Sequence, residues 1–114
     1  MDLEIILSFT KITISKIFLG DDILIIVKGG DKFHIGTSVL AVPRPSLSRD
    51  GTVSVTSSVL NVIGHKDEVI CRILAENAAK KYQVTTVCVG GFHVDDISTE
   101  QIKEVVEAIE NFDI

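Results

Sequence analysis

Hydrophobic and polar positions follow two periods along this chain, and the switch between them divides it. Leu3–Leu7 is a short apolar run. From 11 to 18, Ile12, Ile14 and Lys16 fall on one side and Thr13, Ser15 and Ile17 on the other, the period of two that marks a half-buried strand. After a turn at Gly20-Asp21-Asp22, Ile23–Val27 is continuously aliphatic, the pattern of a central strand covered on both faces, and it stops at Gly29-Gly30. Further strands are expected at Ser38–Val42, ending at Pro43, and at Thr52–Val55 after an Asp50-Gly51 turn, with Val59–Ile63 continuing the sheet.

The period then becomes helical. Over Asp67–Tyr82, the residues Ile70, Ile73, Leu74, Ala78 and Tyr82 share one face. Asp67 and Glu68 occupy the first turn and Lys80 and Lys81 the last, which suits the helix dipole. Val84–Val89 reads as a strand closed by Gly90-Gly91. The last helix carries the clearest start in the chain: Ser98 as N-cap, Gln101 three residues on as its capping-box partner, and Ile97 with Ile102 as a hydrophobic staple. Ile102, Val105, Val106, Ile109 and Phe112 form its apolar face.

The order is therefore about five strands, then helix, strand, helix. Segregated strands and helices predict an α+β fold: a single layer of mostly antiparallel sheet, about six strands, with two helices packed on it. The regular alternation that a Rossmann-type fold needs is absent. The 114 residues fit one domain, 1–114.

Composition narrows the function classes. A hydrophobic fraction of 46% excludes disorder. A net charge of -5 with aromatics at 5% argues against a nucleic-acid partner, which calls for a basic face and stacking rings. The mean hydropathy of +0.38 is high for so small a domain and predicts apolar surface covered by a second subunit, a homodimer. Met1–Glu4 lacks a basic leader and no apolar run is long enough to span a bilayer, so neither a signal peptide nor a membrane segment is expected. Cys71 and Cys88 form no C-x-x-C pair and read as buried free thiols, which places the chain in the cytoplasm.

The candidate chemistry lies at three histidines in glycine-flanked breaks between elements. His34 lies in Gly29-Gly30-Asp31-Lys32-Phe33-His34-Ile35-Gly36, His65 in Gly64-His65-Lys66-Asp67-Glu68, and His93 in Gly90-Gly91-Phe92-His93-Val94-Asp95-Asp96. Two of these repeat one pattern: aliphatic strand, Gly-Gly, then Phe-His and a β-branched residue. Six of the eight glycines flank these histidines. Glycine admits close backbone approach, and imidazole binds metals, moves protons or hydrogen-bonds anions near neutral pH. The candidate ligand-binding residues are Gly29, Gly30, Asp31, His34, Gly36, His65, Lys66, Asp67, Gly91, His93 and Asp95. Lys66 at a helix start, with Lys28 and Lys32, suits a phosphate or carboxylate. No catalytic residue is singled out, because G-x-S-x-G, H-E-x-x-H and the nucleotide-binding glycine motifs are missing. A metal site is not expected; its only candidate ligands are His34, His65 and His93.

Taken together, Gly29-Gly30-Asp31 with His34-Ile35-Gly36, Gly64-His65-Lys66-Asp67-Glu68, and Gly91-Phe92-His93-Val94-Asp95 with Ile97 and Gln101-Ile102 resemble the LpdD-like domain family from about residue 22 to residue 105. That family is described as a prenylated-flavin chaperone accompanying gallate decarboxylase, a UbiD-type enzyme that uses prenylated FMN. The resemblance implies a non-catalytic accessory protein for such a decarboxylase. It implies prenylated FMN or FMN as the cofactor handled, with His34, His65 and His93 lining the site and Lys66 at the flavin phosphate. The order of elements is also similar to the small proteasome-assembly-chaperone fold, which works as dimers. Two other classes stay open on the residues alone: a dimeric interaction module whose Gly-His loops only shape a surface, and a small enzyme with a His-lined, metal-assisted site.

Overall fold

A computed structural model describes residues 2–45, 52–62 and 65–114, the side chains of His65 and Lys66 excepted. The strands are β1 (Asp2–Ile6), β2 (Lys11–Leu19), β3 (Asp22–Gly30), β4 (Thr37–Pro45), β5 (Val53–Asn61) and β6 (Thr86–His93); the helices are α1 (His65–Tyr82) and α2 (Thr99–Glu110). The six strands form one sheet in the order β1-β2-β3-β6-β4-β5. Every neighbouring pair is antiparallel except β3 and β6. This is the α+β arrangement that the sequence pattern predicts.

One face of the sheet is the core. Ile12 and Ile14 of β2, Ile23, Ile25 and Val27 of β3, Cys88 of β6 and Val39 and Ala41 of β4 are buried together under α1, whose Ile70, Cys71, Leu74, Ala75, Ala78 and Ala79 are buried against them. Ala75, Ala78 and Ala79 let the second half of the helix lie close to the strands, and α1 packs on β4, β5 and β6. α2 lies against α1 and buries Val105 and Ile109. Its start is the capping box expected, with the Ser98 side chain accepting from the Gln101 amide and the Gln101 side chain accepting from the Ser98 amide. Lys16 follows Ile12 and Ile14 inward as the alternation requires, and its ammonium donates to the Ile114 carbonyl oxygen at 2.7 Å.

Four expectations are corrected. The aliphatic run Ile23–Val27 is covered on one face only: Leu24 and Ile26 alternate to the other face, where they stay half-buried. β5 is one strand rather than two segments, because its nine residues pair continuously with β4; Ile63 lies outside the described residues, as do Gly64 and the Asp50-Gly51 turn. Tyr82 is 40% exposed, since it ends α1 and sets its ring beside the Lys16 and Lys81 ammonium groups, each 5.3 Å from its centroid. The Gly-Gly pairs do not break the strands. Gly29 and Gly30 remain paired with Phe92 and His93 as the last rungs of the parallel β3–β6 ladder, so His93 closes a strand rather than sitting in a loop.

Candidate functional site

The glycines explain how the site is packed. A Cβ on Gly91 would stand 2.7 Å from the His34 ring and 3.1 Å from the Asp67 carboxylate. A Cβ on Gly36 would overlap that same carboxylate and stand 3.1 Å from His34 Nε2. Both positions are glycine because an imidazole and a carboxyl group lie against the bare backbone there. Gly30 is different: its φ is +80°, and a Cβ there would run into the His93 backbone. That close approach lets the Asp31 amide donate to the His93 carbonyl oxygen at 2.6 Å.

Asp67, in the first turn of α1, is buried and joins two elements. One carboxylate oxygen accepts the Phe92 amide at 2.7 Å and the other meets His34 Nε2 at 2.9 Å. A carboxylate only accepts, so Nε2 carries the hydrogen, and Nδ1 on the other side of the ring faces the Lys32 carbonyl oxygen at 3.4 Å. The Asp67 side chain is 5% exposed and that of His34 32%: the acid is structural in its placement and the imidazole reaches solvent. His93 sits next to it, with ring centroids 6.3 Å apart and planes near perpendicular, and His93 Nε2 meets Asp95 Oδ1 at 2.8 Å. Two imidazoles, each oriented by a carboxylate, thus line one patch at the end of β3 and β6. Such a patch donates or accepts hydrogen bonds and holds a proton at a defined atom.

The structure therefore brings His34, His93, Asp67, Asp95, Gly36 and Gly91 together directly, and Gly29, Gly30 and Asp31 through backbone contacts with Phe92 and His93. The Asp31 side chain is exposed, as are Lys28 and Lys32. His65 and Lys66 open α1, and their side chains lie outside the described residues. Among the described residues no cluster of three or more His, Cys, Asp or Glu side chains is placed to hold a metal ion.

Sequence reasoning gave Ile97 to the helix staple and the apolar face of α2 to the core, and it placed Phe92 in the His93 motif without a role of its own. In the structure they line open space. Phe92, His93, Val94, Asp96 and Ile97 border a mixed polar and apolar cavity of about 310 Å³. Phe92 and Ile97 also border a second, apolar cavity of about 210 Å³ between α1 and α2, walled by Val69, Ile70, Ile102, Val105 and Val106. The detectable signal was an apolar face on α2 wider than its contact with α1 can cover.

The candidate site is therefore an amphiphilic cleft lined by Phe92, His93 and Asp96 at the end of the parallel pair of an open α+β sheet. Residues 8–112 match the prenylated flavin chaperone LpdD-like domain, and the chain belongs to that family. Among curated proteins none is significantly similar to the chain. Among the described residues no helix is long and apolar enough to cross a membrane.

Proposed function

We propose that the protein binds prenylated FMN at the His34–His93 patch and serves a UbiD-type decarboxylase as a non-catalytic accessory protein. The observation that carries this reading is the pair of carboxylate-oriented imidazoles beside an amphiphilic cleft, in a chain of the prenylated-flavin chaperone family. An isoalloxazine edge offers carbonyl oxygens and ring nitrogens, which suit imidazole partners. Asp95 and Asp96 put negative charge at the cleft mouth, so the phosphate belongs away from them, and the lysines that the sequence offers for it are Lys28, Lys32 and Lys66. The test is titration of the purified protein with FMN and prenylated FMN, following flavin fluorescence, alongside activation of a UbiD-type decarboxylase. Saturable binding weakened about tenfold or more in His34→Ala supports the reading. Unchanged fluorescence together with no effect on activation overturns it.

A second copy of the chain completes the reading. Across the face opposite the helices, Ile17, Leu24, Val87 and Leu40 lie in register as one row, with Ile26, Val89, Ser38 and Leu60 in the next. Ile17, Leu40 and Leu60 are exposed. Contiguous apolar surface of this kind marks an interface. The rim of this face carries both signs, Asp2, Glu4 and Asp22 against Lys11, Lys28 and Arg44, which suits a self-complementary, two-fold contact. Sedimentation equilibrium at micromolar concentration should give a dimer mass, and Leu40→Lys should give a monomer; a monomeric wild type removes this part.

A further inference from the structure

The sheet has two edges, β1 and β5, and they are finished differently. β1 has five residues and carries Asp2 and Glu4, with Glu4 paired to Lys11 at 3.7 Å; a short, charged edge resists further pairing. β5 has nine residues, Val53–Asn61, with no charged side chain and no proline. Its pairing with β4 decides which backbone groups are used. The Val62 amide donates to the Gly36 carbonyl oxygen at 2.8 Å, and antiparallel pairs alternate between bonded and non-bonded. Counting by twos from there, Leu60, Ser58, Thr56 and Ser54 turn their backbone groups toward β4, opposite Ser38, Leu40, Val42 and Arg44. Val55 and Val53 fall opposite Pro43 and Pro45, whose missing N–H groups cost that ladder nothing. The N–H and C=O groups of Val53, Val55, Ser57 and Val59 therefore face away from β4, and among the described residues no strand lies beyond them.

The side chains of the same residues add a pattern. Val55 and Val59 are half-buried and pack on the core from its rim. Between them, Ser57 donates its hydroxyl to the Glu76 carboxylate of α1 at 2.6 Å. Arg72, one turn earlier on α1, is taken by Glu68 at 3.3 Å. The helix side of this edge thus presents an apolar group, a carboxylate and an apolar group at the two-residue period of an extended chain.

We propose that β5 takes an extended segment of a partner polypeptide as an added strand, with apolar side chains beside Val55 and Val59 and a Lys or Arg beside Glu76. Main-chain hydrogen bonds hold such a strand, and its alternate side chains select it. A second copy of β5 is the poorer occupant, because pairing two of them around Ser57 brings two Glu76 carboxylates together. The edge is separate from the imidazole patch and from the face opposite the helices, and its use requires no flavin.

The probe is the blocked peptide Thr-Val-Thr-Lys-Thr-Val-Thr, compared with the same peptide carrying Glu in place of Lys, and followed by the backbone amide resonances of the whole chain. The Lys peptide should shift the amides of Val53, Val55, Ser57 and Val59 more than those of Ser54, Thr56 and Ser58. It should bind about fivefold or more tighter than the Glu peptide, since opposite charges across a strand pair attract and like charges repel. In Glu76→Gln, which keeps an acceptor for Ser57, that ratio should fall toward one while the outward amides still respond. Outward amides that stay in place at millimolar Lys peptide overturn the proposal, as does equal wild-type affinity for the two peptides. Amides of β5 that shift with protein concentration alone also overturn it, by giving the edge to a second copy. Failure of the flavin titration leaves these outcomes untouched.

Discussion

Asp67 holds His34 with one carboxylate oxygen, at 2.9 Å, and the backbone of Phe92 with the other, so one buried acid ties the loop after β3 and the end of β6 to the start of α1. Removing it leaves the Phe92 amide without its acceptor. Asp67→Ala should lower the unfolding free energy by about 1–3 kcal/mol, and Asp67→Asn, which keeps a carbonyl oxygen for that amide, by less. Urea denaturation measures both; equal costs for the two substitutions would contradict the bond to Phe92.

Gly91→Ala tests the packing of His34. A methyl group there has to displace the imidazole, because its ring stands 2.7 Å from the added carbon. The expected outcome is a shift of the His34 ring resonances, weaker flavin binding, and a stability loss of about 1–3 kcal/mol from overpacking. Unmoved His34 resonances would show that the ring does not lie on the Gly91 backbone.

The two cysteines should be silent in the folded protein. Both are buried, and burial, with the neighbouring Cys71 thiol adding to it, pushes the Cys88 thiol well up from its ordinary value. At pH 8 a thiol-specific disulfide reagent should label neither in native protein and both in denaturant. Rapid native labelling of Cys88 would place it outside the α1–sheet core.

Glu104 predicts a pH effect with a definite sign. Its carboxylate accepts the Ser8 hydroxyl at 2.6 Å and the Ser8 amide at 2.7 Å, and these bonds hold its pKa below the usual glutamate value. A depressed folded value means that this clip between α2 and the β1–β2 turn contributes fully above the ordinary glutamate pKa. The contribution is lost as pH falls through the lower folded value. Carboxyl-carbon NMR titration should show Glu104 ionising below the ordinary glutamate value, with the difference reduced in Ser8→Ala.

Much of this fold was legible from period alone. The alternation around Ile12, Ile14 and Lys16 gives the inward face of β2 correctly, and Ser98 with Gln101 starts α2 at the residue expected. Strand ends were not legible, because glycine pairs signal both a break and a close approach, and only the neighbouring chain distinguishes them. Gly90-Gly91 continues a ladder for the second reason. At the site, the repeated Gly-Gly and Phe-His pattern marked His34 and His93 as candidates, and the pattern alone did not decide whether they meet. The role of Asp67 was not legible, since a first-turn acid looks the same whether it faces solvent or bonds a strand 25 residues away. Nor was the cavity between α1 and α2, for an apolar helix face reads as core until the partner that only half covers it is seen.

The placement of β6 has a consequence for how the molecule is made. It is the second-last element in sequence and sits between β3 and β4, joining a three-stranded meander to a separate hairpin. Until it arrives, β1–β2–β3 and β4–β5 have no shared edge, and their unpaired inner edges are open to wrong partners. The strand that closes the gap also brings Phe92 and His93, so sheet completion and site assembly are a single event. A chain halted before β6 lacks both Phe92 and His93, so the candidate site is completed by the insertion of one eight-residue strand.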